Sequence, residues 1–294
     1  MSKESIVAMA SELIKYDLSL EVYFTYGPAA SVLSRPVLPR RHGQPIFMRG
    51  EVGVKDDGQL RPLVAHNTTH IDMPVHFLEG SADLHDVLNN SAYRVNLPLL
   101  ARVVDVSAWP DSQYCYERDG VRYCELVTTE MLPPVDELRQ YDALVLLTGF
   151  GAVMRRGSQR YIPDAKGFFH MPGVTVEVAQ RVAEAGLTLL AIDSPTVERQ
   201  TQGNPLRMTG DVHPILLGHT PPVFILEAVA GDRLAPQAGF VPIEGMLEVI
   251  PRRANAKGAD AAPARVFLSF YRGQDNRQQL QRLIALITPK YLYG

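Results

Sequence analysis

Three histidines and one aspartate fall within one short stretch of this chain, at His66, His70, Asp72 and His76. Between them stand Asn67, Thr68, Thr69, Ile71, Met73, Pro74 and Val75, with no lysine or arginine to pair the carboxylate. A solvated loop usually mixes in more charge, and a core strand hardly tolerates side chains that need partners. A bound cation resolves both difficulties. Imidazole nitrogen combined with carboxylate oxygen suits Zn²⁺, Mn²⁺ and similar divalent ions, whereas an all-oxygen set would suggest Ca²⁺ or Mg²⁺. Each histidine taken alone reads as an ordinary hydrogen-bonded residue. The four together read as a metal site.

Such an ion would lower the pKa of a bound water from about 15.7 toward about 7 and polarise a substrate carbonyl. His76 is not needed for a first ion held by His66, His70 and Asp72, and imidazole suits proton transfer in both directions near neutral pH. Its blander role is to orient a ligand. The expected reaction is hydrolysis of a C–N or C–O bond in an amide, cyclic imide, lactam or lactone. Two rivals stand beside it. One, implied by the resemblance of this run to a known family, is a cyclase or dehydratase working through a metal-stabilised enolate; the other is a non-catalytic metal-binding protein. Release of a carboxylic acid from simple lactones or lactams separates the first, and absence of any turnover favours the second.

Geometry constrains how these residues meet. On a straight strand His66 and His70 would lie about 13 Å apart at roughly 3.3 Å per residue. A turn through Asn67-Thr68-Thr69 would bring their Cβ atoms to about 6 Å, as in a helical i,i+4 pair. Pro74 would stop any helix continuing from there. The ligands are therefore expected on a bent, rigid connection.

The rest of the chain must supply a scaffold for that connection. Its 294 residues, hydrophobic share of 46%, charged share of 21% and net charge of -3 describe a globular enzyme with a small-molecule substrate. Nucleic acid and membrane are not expected partners. Lys3, Glu4, Glu12 and Lys15 interrupt the apolar stretches at the N-terminus, so neither a signal peptide nor a span is expected there, and the cytoplasm is the expected location. No repeat or linker divides the sequence, which predicts one domain over residues 1–294.

β-rich runs recur at 99–106, 143–148, 187–193, 222–229 and 265–270. Thr175, an apolar stripe of Val178, Val182 and Ala185, and then Gly186 predict a capped helix leading straight into a strand. That is half of an α/β unit, so a mixed sheet is expected. Asp119-Gly120 predicts a hairpin pairing Arg118 with Val121, Tyr116 with Tyr123 and Cys115 with Cys124. In a reducing cytosol those two cysteines are expected as free thiols. Leu280, Leu283, Ile284 and Ile287 predict an amphipathic C-terminal helix within an extension over 275–294. An apolar stripe added to a complete core is expected to dock on a neighbouring subunit.

The run from His66 to His76 resembles the His-x-Gly-Thr-His-x-Asp-x-Pro-x-His signature of the metal-dependent cyclase family. That family includes bacterial kynurenine formamidases, isatin hydrolases and a trans-dienelactone hydrolase. Further similarity spans roughly residues 16 to 270: Asp17-Leu18-Ser19, Ala191-Ile192-Asp193-Ser194-Pro195, His213-Pro214-Ile215-Leu216-Leu217-Gly218 leading to Ile225-Leu226-Glu227, and Ala262-Pro263-Ala264-Arg265. The resemblance implies that His66, His70 and Asp72 bind one ion and that His76 transfers protons. In two-metal members it implies that Asp72 and Glu227 bridge to a second ion held also by His213. It further implies a swivelling β/β/α domain assembled as homo-oligomers, dimers or tetramers, with sites near the subunit interface. Thr68 stands where the signature has glycine, and the His213 to Glu227 interval is two residues longer around Thr220-Pro221-Pro222. The lone tryptophan, Trp109, lies far from the N-terminal region where kynurenine formamidases stack their substrate; Tyr23, Phe24, Tyr26 and Phe47 are the aromatics there. Kynurenine formamidase is thus disfavoured as the specific activity.

Overall fold

In the computed structural model the described residues are 13–19, 47–54, 60–64, 69–110, 113–118, 120–155, 170–201, 204–234, 243–252, 259–271 and 275–293. His66, Asn67, Thr68, Tyr23, Phe24, Tyr26 and Asp119 lie outside them. In chain order the first strands are β1 (Ile14–Asp17), β2 (Phe47–Val54), β3 (Leu60–Val64) and β4 (His70–Asp72). Helix α1 (Leu84–Asn89) and strands β5 (Leu99–Asp105), β6 (Cys115–Arg118), β7 (Val121–Cys124) and β8 (Leu126–Val127) follow. Next come α2 (Val135–Leu138), β9 (Ala143–Leu147), α3 (Phe150–Arg155), β10 (Gly173–Val174), α4 (Val176–Glu184) and β11 (Leu189–Ile192). The chain continues through β12 (Gln200–Thr201), β13 (Asn204–Met208), α5 (Val212–Leu217) and β14 (Phe224–Glu227), and closes with β15 (Glu244–Pro251), β16 (Ala261–Phe270) and α6 (Asn276–Tyr293).

Eight strands form the main sheet in the order β1-β16-β15-β5-β9-β11-β14-β4, and a further pairing of β16 with β4 curls it into a barrel-like form. Strands β5, β9, β11 and β14 run parallel, while β4, β15, β16 and β1 join antiparallel. The parallel strands are buried on both faces, which is why their sequences are nearly continuous apolar runs. Val145, Leu189, Ala191 and Leu226 point into one core cluster with Ile71 and Leu268. Their neighbours Leu144, Leu146, Leu190 and Ile225 point the other way, into a cluster with Val178 and Val182 of α4 and Leu216 of α5. This is the mixed α/β architecture that the sequence predicts.

Local readings hold where local forces dominate. The Thr175 side chain caps α4 by accepting from the Val178 N–H, and Gly186 follows the helix at φ 72°, a left-handed turn that glycine adopts without a Cβ penalty. The β6–β7 hairpin has the expected register, Cys115 opposite Cys124 and Tyr116 opposite Tyr123. Its cysteines, however, are joined in a disulfide and are not free thiols. They face each other as a directly opposed pair, the arrangement in which cross-strand side chains come closest.

Helix α6 extends further than the sequence stripe indicates, to Tyr293. Its apolar face is also used differently. Leu280 and Leu283 pack on Leu100 and Met246 of the chain's own sheet and on Tyr271, with Ile284 and Ile287 beside them. Leu99 and Leu247 face the other core cluster, so strand alternation turns Leu100 and Met246 outward, where α6 covers them. The expected docking of this stripe on a neighbouring subunit is overturned. Among the described residues, no helix is long and apolar enough to cross a membrane.

Candidate metal centre

Strand β4 lies between β14 and β16, and this register builds the centre. Across one edge His70 stands opposite Glu227 and Asp72 opposite Ile225; across the other, His70 faces Pro263 and Asp72 faces Ala261. Alternation along β4 puts His70 and Asp72 on one face while Ile71 enters the core behind them. The two ligand candidates thus meet as i,i+2 neighbours on a strand. The bent connection expected to bring His66 to His70 runs through Asn67 and Thr68, outside the described residues; Pro74 opens a 3₁₀ turn, Pro74–His76, where it was expected to stop a continuing helix. His213 arrives from the first turn of α5.

His70, Asp72, His213 and Glu227 are all buried. His70 Nε2 lies 3.5 Å from Asp72 Oδ1 and 3.3 Å from Glu227 Oε2. His213 Nε2 lies 3.4 Å from Asp72 Oδ2 and 3.4 Å from Glu227 Oε1. Each carboxylate therefore presents one oxygen to each imidazole, a bridging disposition. Ligand atoms of His70, Asp72 and Glu227 lie within 4.8 Å of one another, as do those of Asp72, His76 and His213. The structure brings His70, Asp72, His76, His213 and Glu227 together; His66 lies outside the described residues.

Surrounding residues hold this arrangement. Glu198, fully buried, accepts from His213 Nδ1 at 2.8 Å, from the backbone N–H groups of Gly210, Asp211, Val212 and His213, and from the Thr209 hydroxyl. With Nδ1 engaged, His213 turns Nε2 toward Asp72 and Glu227. The Phe77 ring stacks on His213 with centroids 4.5 Å apart. Val197 N–H donates to Glu227 Oε1 at 2.8 Å. Directly after Glu227, Ala228 adopts φ 55°, a conformation uncommon outside glycine, and two hydrogen bonds fix it there: Thr69 Oγ1 to Ala228 O at 2.6 Å and Ala228 N to Ser194 O at 2.7 Å. His76 Nδ1 lies 3.1 Å from Asp260 Oδ2.

Electrostatics follow from this crowding. Burial opposes the charged form of His213, but hydrogen bonds to Asp72, Glu198 and Glu227 push its pKa well above the ordinary imidazole value. Burial also works against ionised Glu198, yet the bonds from His213 and Thr209 bring its carboxyl down to about 2. Burial and the Asp72 charge raise Glu227, and the two histidines outweigh them. Three buried carboxylates, Asp72, Glu198 and Glu227, thus face two imidazoles, so that even full protonation of His70 and His213 leaves net negative charge among these five groups. A divalent cation compensates this charge, and the nitrogen and oxygen donors match what such an ion takes.

Glu198 and Asp260 were not legible as functional residues. The only sequence trace of either is a lone carboxylate in an otherwise apolar run, Pro195-Thr196-Val197-Glu198 and Ala259-Asp260-Ala261-Ala262.

A barrel-like mixed sheet that gathers imidazoles and carboxylates on the face opposite Ile71, beside helix α5, fits an enzyme of the metal-dependent hydrolase and cyclase type. The chain belongs to the Cyclase family, whose model matches residues 16–199. That match contains the His66 to His76 segment and stops short of His213 and Glu227, a smaller span than the similarity read from the sequence. Curated proteins yield no match. Among solved structures, an isatin hydrolase bound to the product analogue thioisatinate superposes with a TM-score of 0.57 at 16% identity, covering 92% of this chain and 100% of that one. Isatin hydrolase A from Labrenzia aggregata gives 0.55 at 19% identity, covering 92% and 99%. A potential metal-dependent hydrolase with cyclase activity gives 0.51 at 19% identity, covering 89% and 100%. At these identities the likeness is one of fold.

Proposed function

We propose that the chain is a metal-dependent hydrolase that cleaves a C–N or C–O bond in a small amide, cyclic imide, lactam or lactone, using one or two Zn²⁺ or Mn²⁺ ions. The observation that carries this reading is the pair of buried carboxylates, Asp72 and Glu227, each facing both His70 and His213. His66, His70 and Asp72 are assigned to one ion, and Asp72, Glu227 and His213 to a second. An ion held there supplies Lewis acidity, lowering the pKa of water toward about 7 and polarising a carbonyl.

The chain's own residues do the rest. His76 is partly exposed beside the buried cluster and can meet both substrate and water. It takes a proton from the attacking water as the new C–O bond forms, and returns it to the departing nitrogen or oxygen as the scissile bond breaks. Glu198 keeps His213 in the tautomer that directs Nε2 inward. The names of the similar isatin hydrolases support a cyclic amide as the substrate class. The cyclase or dehydratase reading draws on the family name and on the cyclase activity in one neighbour's description. A cytoplasmic homo-oligomer, dimer or tetramer, completes the proposal, with light scattering as its check.

Metal analysis of the purified protein, combined with a screen over formanilides, isatin-like lactams and unsaturated lactones, tests the reading. One or two equivalents of Zn²⁺ or Mn²⁺ and release of a carboxylic acid are expected. A protein that retains metal yet isomerises or dehydrates without consuming water moves the assignment to the cyclase; one that retains no metal refutes both.

A further inference from the structure

Asp260 is a buried carboxylate that the proposed chemistry above does not use. Its side chain is 3% exposed, and its Oδ2 lies 3.1 Å from Nδ1 of His76, 184 residues away in sequence. The backbone fixes both partners. Asp260 directly precedes Ala261, which pairs with Asp72 across β16 and β4. Met73 N–H donates to Asp260 O at 2.9 Å, and Leu84 N–H to Ala259 O at 3.1 Å, so the segment 259–260 is tied on both sides of the 3₁₀ turn that carries His76. That turn is itself closed by His76 N–H donating to Met73 O at 2.9 Å.

A carboxylate taken out of water needs a donor, and Nδ1–H of the facing imidazole is one. We propose that Asp260 is the positioning residue of His76, holding Nδ1 protonated so that Nε2 is the nitrogen that exchanges protons with water and leaving group. This rests on the hydrolase reading of His76. In each turnover Nε2 gains the proton that water loses as the C–O bond forms, and gives it to the departing atom as the scissile bond breaks. Asp260 stays ionised throughout, stabilising the imidazolium that exists between those two transfers. The arrangement repeats, around the proton-carrying histidine, what Glu198 does for His213. A purely structural Asp260 would accept the same Nδ1–H, but its loss would leave kcat unchanged in a protein that keeps its fold and its zinc.

The test is a two-bond proton–nitrogen correlation spectrum of the full-length, Zn²⁺-loaded protein labelled with ¹⁵N-histidine. His76 signals are assigned by their absence from His76→Ala. In its neutral form, wild-type His76 is expected to carry hydrogen on Nδ1, and Asp260→Ala to lose that preference with its zinc content unchanged. With a lactam substrate, kcat of Asp260→Ala should fall roughly 10- to 100-fold with KM nearly unchanged. A wild-type His76 protonated on Nε2 overturns the proposal even if the variant does not fold. A metal-shifted Nε2 signal overturns it too, because His76 is then a ligand. An Nδ1–H tautomer in a protein that hydrolyses none of the substrates upholds the Asp260 assignment and sinks the hydrolase reading instead.

Discussion

At the scale of single residues, the five gathered side chains divide by what their loss should do. His70→Ala and Asp72→Ala each remove a donor from a buried cluster that needs them all, so both variants should lose bound metal and activity together, as elemental analysis and turnover would show. Full metal occupancy in either would refute the ligand assignment. His76→Ala should instead keep its metal and lose roughly 10²–10⁴-fold in turnover, the usual worth of a positioned acid or base. Glu198 supplies a pH dependence. Its carboxyl titrates near 2 in the fold against an ordinary 4.5, so ionised Glu198 contributes stability that is present above pH 4.5 and is lost as pH falls through about 2. Denaturant unfolding across that range should show a shallower acid slope in Glu198→Gln than in wild type; equal slopes would mean that the six bonds to Glu198 are not what holds the 209–213 segment.

At the scale of elements, β4 is the decisive piece although it is only three residues long. It makes the same sheet edge hold His70 and Asp72 on one face and Ile71 in the core, and it accepts partners on both sides, β14 with Glu227 and β16 with Asp260 at its head. Helix α6 belongs to a different calculation. Leu280 is fully buried against Leu100 and Met246, so Leu280→Ala should cost about 2–5 kcal/mol of unfolding free energy, the range for removing a core leucine. A chain ending after Gly273 should unfold at lower denaturant concentration with its oligomeric state unchanged. Loss of the oligomer without loss of stability would restore the subunit-contact reading that the packing contradicts.

At the scale of the whole molecule, the charged group is buried on the face of the sheet opposite Ile71, and an ion held there would link folding to metal binding. Chelation should lower the thermal midpoint, and free ion at a hundred times its Kd should raise stability by about 2.7 kcal/mol, read by calorimetry with and without added Zn²⁺ or Mn²⁺. A midpoint indifferent to both would show that no ion occupies the centre. What the sequence alone determined was whatever neighbours along the chain decide. Thr175 and Gly186 bound α4, Gly120 turns the hairpin, and the spacing of His66, His70, Asp72 and His76, with no lysine or arginine between them in the sequence, points to a metal. The tertiary structure alone decided that His70 and Asp72 meet on a strand, that Glu227 lies opposite His70, that Glu198 and Asp260 stand behind two imidazoles, and that α6 folds back on its own sheet. Each of those depends on strand register or on which face a neighbour leaves uncovered. Partners separated by as much as 184 residues, like His76 and Asp260, share no period or local propensity that a linear reading could follow.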